Sequence, residues 1–161
     1  MKKVKLNLGC GSDVRLGYIN VDVRPGDHIM QANAFEITQD NQTVEVEEII
    51  ALNLIQYAGL GQLGAILKNW TDILLPEGTI TIQAPDYELV MNHVVTGRLN
   101  IHQANELLFG SDIGYRGCYN LGTIALTLED LQMEILEKTY VGYEMFIRAR
   151  KKAVASIGTP S

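Results

Sequence analysis

The stretch Val4-Lys-Leu-Asn-Leu-Gly-Cys-Gly-Ser-Asp13 decides the fold. Apolar residues alternate at Val4, Leu6 and Leu8 and then give way to Gly9-Cys10-Gly11. A period of two marks a strand. A glycine turn at its carboxyl end lets the backbone come close to a ligand, and that end is where open α/β sheets bind their ligands. Eleven residues beyond Gly11, a second apolar run, Tyr18-Ile-Asn-Val21, ends in Asp22. An acid at the tip of the neighbouring strand can accept two hydrogen bonds from a ribose diol. One glycine-rich tip beside one acidic tip suggests a nucleoside-bearing cofactor.

Outward from this pair, residues 9–17 must return the chain to the second strand. A crossover with a full helix needs about ten to twelve residues, so an irregular return is expected. Further strands are predicted at 28–32, 46–52 and 79–84. Leu60, Leu63, Leu67, Trp70 and Leu74 form one apolar stripe, which predicts a helix over 60–75, stopped by Pro76-Glu-Gly78. Helices follow at 87–95 and 101–109. Residues 110–122 carry four glycines and read as a long loop, a type that is often functional. Thr127-Leu-Glu-Asp130 reads as a capping box opening a short helix. Met133–Val141 and Tyr143–Ala149 form a hairpin around Gly142. This order predicts an α/β domain over residues 1–150, a mainly parallel sheet with helices on both faces and an antiparallel hairpin at its edge. Residues 151–161 are expected to be a flexible tail.

With 161 residues the chain can bury roughly two thirds of its unfolded surface. Its formal net charge is −6. Phosphate binding needs clustered Lys and Arg, and the one such cluster, Arg148, Arg150, Lys151 and Lys152, reads as a solvated end. No nucleic-acid partner is expected. Lys5 and Asn7 interrupt what would be the apolar region of a leader. No apolar run approaches the ~20 residues of a membrane span. A cytoplasmic protein without membrane contact is the expectation. Cys10 and Cys118 offer neither a disulfide framework nor metal spacing.

The cofactor can be narrowed. A dinucleotide fingerprint needs a third glycine and an acid about 20 residues on. Here the third position is Val14 and the acid is only eleven residues from Gly11, which disfavours NAD. The Walker loop is absent. Leu6-Asn-Leu-Gly-Cys-Gly11 followed by Gly17-Tyr-Ile-Asn-Val-Asp22 resembles the compact class I, Rossmann-like S-adenosylmethionine-dependent methyltransferases associated with sugar and cell-envelope genes. Leu74-Leu-Pro-Glu-Gly, the strand after it, Pro85-Asp86, Leu107-Leu-Phe-Gly110 and the final hairpin are similar as well, so the resemblance covers nearly the whole chain.

The resemblance implies a three-layer sandwich that binds S-adenosyl-L-methionine. Gly9, Cys10 and Gly11 would pack on its methionine part, and Asp22, with Val23 beside it, would hold the ribose. Asn33 and Ala34 would border adenine, Asn33 through its carbonyl oxygen. Asn53 and Leu54 would face the sulfonium. The expected reaction is methyl transfer to a small molecule, a sugar or cell-envelope precursor. The alternative is a methyltransferase fold that binds cofactor or a partner without catalysis, because Leu54-Ile55-Gln56-Tyr57 stands where the family has Leu-Glu-His. Asp86 and His102 are the candidates for a general base, with His93 and Tyr57 behind them. For Asp86 a helix cap is the competing role. Tyr115 and Tyr119 are candidates for the substrate mouth. A homodimer would help cover the open site. No metal is expected.

Overall fold

The computed structural model describes residues 2–39, 44–59, 61–110 and 114–153. Among them, strands β1 (Lys3–Leu8), β2 (Ile19–Asp22), β3 (Ile29–Gln31), β4 (Glu45–Leu52), β5 (Leu74–Pro85), β6 (Met133–Val141) and β7 (Glu144–Lys151) form one sheet. The helices are α1 (Leu63–Ile73), α2 (Tyr87–Val95), α3 (Ile101–Phe109) and α4 (Leu121–Asp130). The strand order is β3-β2-β1-β4-β5-β7-β6. The first five strands run parallel, and β7 is antiparallel to both β5 and β6. The order reverses at β1, so a crevice opens between the carboxyl ends of β1 and β4, as expected at a topological switch point.

Alternation decides which side of the sheet is dry. Leu6, Leu8, Ile49, Ile80, Ile82, Met145 and Ile147 all point into one core, where they meet Ile66, Leu67 and Trp70 of α1 and Ile124 and Leu128 of α4. Most of the intervening positions in β1 and β5 are polar. Lys5 pairs with Glu48 at 3.0 Å, and the Tyr18 hydroxyl donates to the same carboxylate at 3.0 Å. No helix intervenes between β1 and β2 or between β2 and β3, and α1 and α4 share one face. On the other face loop 9–18 takes the place of a helix. Two buried asparagines at paired register positions hold it down. Asn7 Nδ2 donates to Asn20 Oδ1 at 2.9 Å and to the Asp13 carbonyl at 2.6 Å. Asn20 Oδ1 also accepts from Arg15 N at 2.9 Å, and Asn20 Nδ2 donates to Arg15 O at 3.1 Å. The amide groups of both residues and the Asn20 carbonyl oxygen thereby find partners, as burial requires.

Three boundaries differ from the sequence expectation. Helix α1 ends at Ile73, and the chain enters β5 directly at Leu74 rather than stopping at Pro76. The cause lies far away in sequence: Lys151 Nζ donates to the carbonyls of Thr71, Asp72 and Leu74, which ends the helix with a cation at its negative pole. Lys151 is therefore part of β7 and not of a tail, while residues 154–161 lie outside the described residues. Helix α4 begins at Leu121, six residues before the predicted start at Thr127. Asn120 caps it by accepting from Thr123 N at 2.8 Å, and Thr127 lies inside it, its hydroxyl donating to Thr123 O at 2.9 Å. Helices α2 and α3 pack on each other through Val90, Leu99, Ala104 and Leu108, a small second core joined by Tyr143 of the hairpin turn.

Candidate functional site

A cleft of about 770 Å³ lies over the tips of β1, β2 and β4, within the ≈ 300–1,000 Å³ range of small-molecule sites. Its floor begins at Gly9. That residue has φ +62°, and a Cβ there would stand 2.5 Å from Leu54 Cδ1. Gly11 has φ +52°. Both glycines adopt the left-handed conformation that side chains disfavour. The turn can be this tight, and Leu54 can lean on it, only because no side chain is present.

Asp22 joins the two tips. Its carboxylate is buried and accepts from Gly11 N at 2.8 Å through Oδ2. Through Oδ1 it accepts from Arg24 N at 2.9 Å and Arg24 Nε at 3.1 Å. Burial alone would push its pKa up, but the hydrogen bonds from Arg24 and Gly11 outweigh burial and hold it below the usual carboxylate value. Asp22 is thus an ionised acceptor inside a half-enclosed cleft.

The third wall is fixed from below. Trp70, fully buried on α1, donates its indole N–H to Ala34 O at 2.9 Å and stacks on Phe35 at 6.2 Å between ring centroids. Asn33 Oδ1 accepts from Phe35 N at 3.1 Å, and its amide donates to Glu36 at 2.9 Å. The side chain thus caps the short 3-10 turn Ala34–Glu36 and keeps one oxygen lone pair. At the β4 tip Asn53 takes a left-handed φ of +52°, a conformation asparagine tolerates, and its N–H donates to Gln83 O at 2.7 Å.

All nine residues expected from the sequence to hold the cofactor, Gly9, Cys10, Gly11, Asp22, Val23, Asn33, Ala34, Asn53 and Leu54, line this one cleft. Arg24, Phe35 and Tyr57 line it as well. For Arg24 the spacing was a usable signal: it lies two residues past Asp22, which the chain must turn around. Tyr57 follows β4 in a 3-10 turn, Ile55–Tyr57, and meets Tyr115 edge-on at 5.0 Å. Burial, then Tyr115, raises the pKa of Tyr57, so its hydroxyl stays protonated at neutral pH.

Of the candidate bases only Tyr57 lines the cleft. Asp86 is fully buried, and both its oxygens serve helix starts: Oδ1 accepts from Leu89 N at 2.8 Å and Oδ2 from Leu121 N at 2.7 Å. These bonds are the capping role that competed with catalysis in the sequence. His102 is exposed on α3 and does not line the cleft. His93 stands edge-on to Tyr143 at 5.2 Å in the second core, and the Tyr119 hydroxyl donates to Ala58 O at 3.0 Å. Burial, then Asp22, raises the thiol pKa of Cys10, so it is no activated nucleophile. No cluster of metal-ligating side chains occurs among the described residues. No helix among them is long and apolar enough to cross a membrane.

The sequence matches no protein-family model and no curated protein. The fold does match solved structures. One is 1,6-didemethyltoxoflavin-N1-methyltransferase of Burkholderia thailandensis with bound 1,6-didemethyltoxoflavin and S-adenosylhomocysteine: 13% identity, TM-score 0.63, 93% of this chain and 71% of that one. An O-methyltransferase family protein from the same organism aligns at 9% identity and TM-score 0.64 over 94% of this chain, which spans only 51% of it. A SAM-dependent methyltransferase from Methanosarcina mazei aligns at 12% identity and TM-score 0.60, covering 93% and 92% of the two chains. The fold of this chain is therefore the class I methyltransferase fold.

Proposed function

We propose that the cleft binds S-adenosyl-L-methionine and that the chain transfers its methyl group to a small molecule. The observation that carries this is the Asp22 carboxylate, buried, ionised and tied to Gly11 N across two strand tips. It is supported by the cradle at Gly9, which a side chain would fill, and by the cofactors bound to solved proteins of the same fold, such as the S-adenosylhomocysteine in the Burkholderia enzyme. The cofactor supplies an already activated methyl on a sulfonium, so the chemistry asks the protein mainly for alignment.

The residues divide that work. The backbone at Gly9–Gly11 approaches the methionine part. Asp22 accepts from the ribose hydroxyls, and its low pKa keeps it an acceptor throughout the neutral range. Asn33 and Ala34 border adenine, Asn33 with its one remaining lone pair. Asn53, Leu54 and Tyr57 form the end from which the acceptor enters. The acceptor we propose is a sugar or cell-envelope precursor, handled in the cytoplasm, as the motif resemblance suggests. A second reading, cofactor binding without turnover, is favoured by one observation: Asp86 is enclosed and His102 does not line the cleft.

Calorimetric titration tests the proposal. S-adenosylhomocysteine is expected to bind with micromolar affinity and NAD not to bind. Asp22→Ala, folded by circular dichroism, is expected to lose most of that affinity. Binding of neither ligand sinks the enzyme reading.

A further inference from the structure

Arg24 lies across the position a ribose needs. From the turn after β2 its side chain folds back, with Nε 3.1 Å from Asp22 Oδ1. Its Nη2 comes so close to Gly11 that a Cβ there would stand 3.1 Å away. The guanidinium thus spans the gap between the tips of β1 and β2. Each carboxylate oxygen offers about two acceptor positions. On Oδ2 one is taken by Gly11 N. On Oδ1 both are taken, by the backbone N and the Nε of Arg24. A diol that engages both oxygens must recover one position on Oδ1.

Only the side-chain bond can yield it. The backbone N–H groups of Gly11 and Arg24 are fixed by the strand tips and hold the carboxylate in place. The Arg24 side chain is 70% exposed, so its guanidinium passes into water at little cost, and the buried charge left behind is that of Asp22. The Asp22 carboxylate is nearly enclosed and needs a donor at every moment. Arg24 supplies that donor until a ligand does.

We propose that Arg24 is a displaceable substitute for the ribose: its Nε–H gives up Asp22 Oδ1 to a ribose hydroxyl when the nucleoside enters. Arg24 then sets affinity by competing for Asp22 rather than by touching the cofactor. This rests on the cofactor reading above. It makes a prediction opposite in sign to the usual one for a cleft-lining arginine, because deleting the side chain tightens binding.

The experiment is titration of S-adenosylhomocysteine into the parent, Arg24→Ala and Arg24→Met at low and high ionic strength, with Asp22→Ala as control. Methionine keeps much of the apolar stem and removes the guanidinium. The ligand has no net charge at neutral pH, so added salt acts on binding chiefly through the Arg24–Asp22 pair, whose arginine end is exposed. At low salt both variants are expected to bind about threefold tighter than the parent, the scale of an ion pair with one solvent-exposed end. Salt should tighten binding to the parent until it meets the variants, which themselves should not respond. Equal or weaker binding by both variants, with a parent indifferent to salt, overturns the substitution. If parent and variants all fail to bind, the cofactor reading falls and this inference with it. If the parent binds and Asp22→Ala binds equally well, Asp22 is not the ribose acceptor and the competition cannot exist.

Discussion

Replacing Asp86 by alanine is expected to destabilise the protein by about 3 kcal/mol. The figure comes from two bonds that the carboxylate makes at once. Oδ2 holds Leu121 N at 2.7 Å in a buried position at the start of α4. Oδ1 holds Leu89 N at 2.8 Å in the first turn of α2. A lost side-chain cap costs about 0.5–2 kcal/mol, and a buried N–H left without a partner costs about 1–3 kcal/mol. The two ends together give about 2–5 kcal/mol, less what is recovered by no longer burying a charge. Asp86→Asn keeps one acceptor oxygen but turns an amide toward the other N–H, so about half the loss is expected. Urea denaturation followed by circular dichroism measures both, and affinity for S-adenosylhomocysteine should stay within about twofold of the parent. An unchanged midpoint for Asp86→Ala would show that the enclosed carboxylate is not holding these helix starts. Full stability in Asp86→Asn combined with lost methyl transfer would return Asp86 to the reacting atoms and refute the assignment.

Two further outcomes follow from the cleft. Gly9→Ala is expected to weaken S-adenosylhomocysteine binding at least tenfold and to cost about 1–2 kcal/mol of stability from the left-handed backbone; its Cβ would drive Leu54 toward the space proposed for the sulfonium, and unchanged affinity by calorimetry counts against that placement. Acid should act through Asp22. Its folded pKa lies below the unfolded value, so the stability it contributes is fully present above the unfolded pKa and is lost as pH falls through the folded one. The stability difference between the parent and Asp22→Asn should therefore shrink between about pH 5 and pH 2, and a constant difference in chemical denaturation across that range contradicts the ionised, hydrogen-bonded state.

Local signals account for a large share of the fold. Helices α2 and α3 were readable to the residue because their stops are local: Asp86 and Asn100 cap their starts, and Gly97 and Gly110 follow their ends. The start of α4 was not readable. Its first N–H is held by Asp86, thirty-five residues away, and the Thr127–Asp130 pattern inside it mimics a start. Nor was the end of α1, which Lys151 fixes from the last strand.

The site divides in the same way. The stretch Val4–Asp13, with Asp22 after it, determined the strand tips, the close backbone at Gly9 and Gly11 and the acid between them. These depend on alternation, on glycine's freedom and on a short loop, all of which are written in neighbouring residues. Only the tertiary structure decided that Asp86 is a cap, that Asn7 and Asn20 fasten the loop between the first two strands, and that the Arg24 side chain bonds Asp22. Each of these turns on which lone pair or N–H a side chain spends its hydrogen bond upon. A sequence shows which polar groups a chain possesses, but the partner that satisfies each one is fixed only when distant segments are packed against each other and water is excluded.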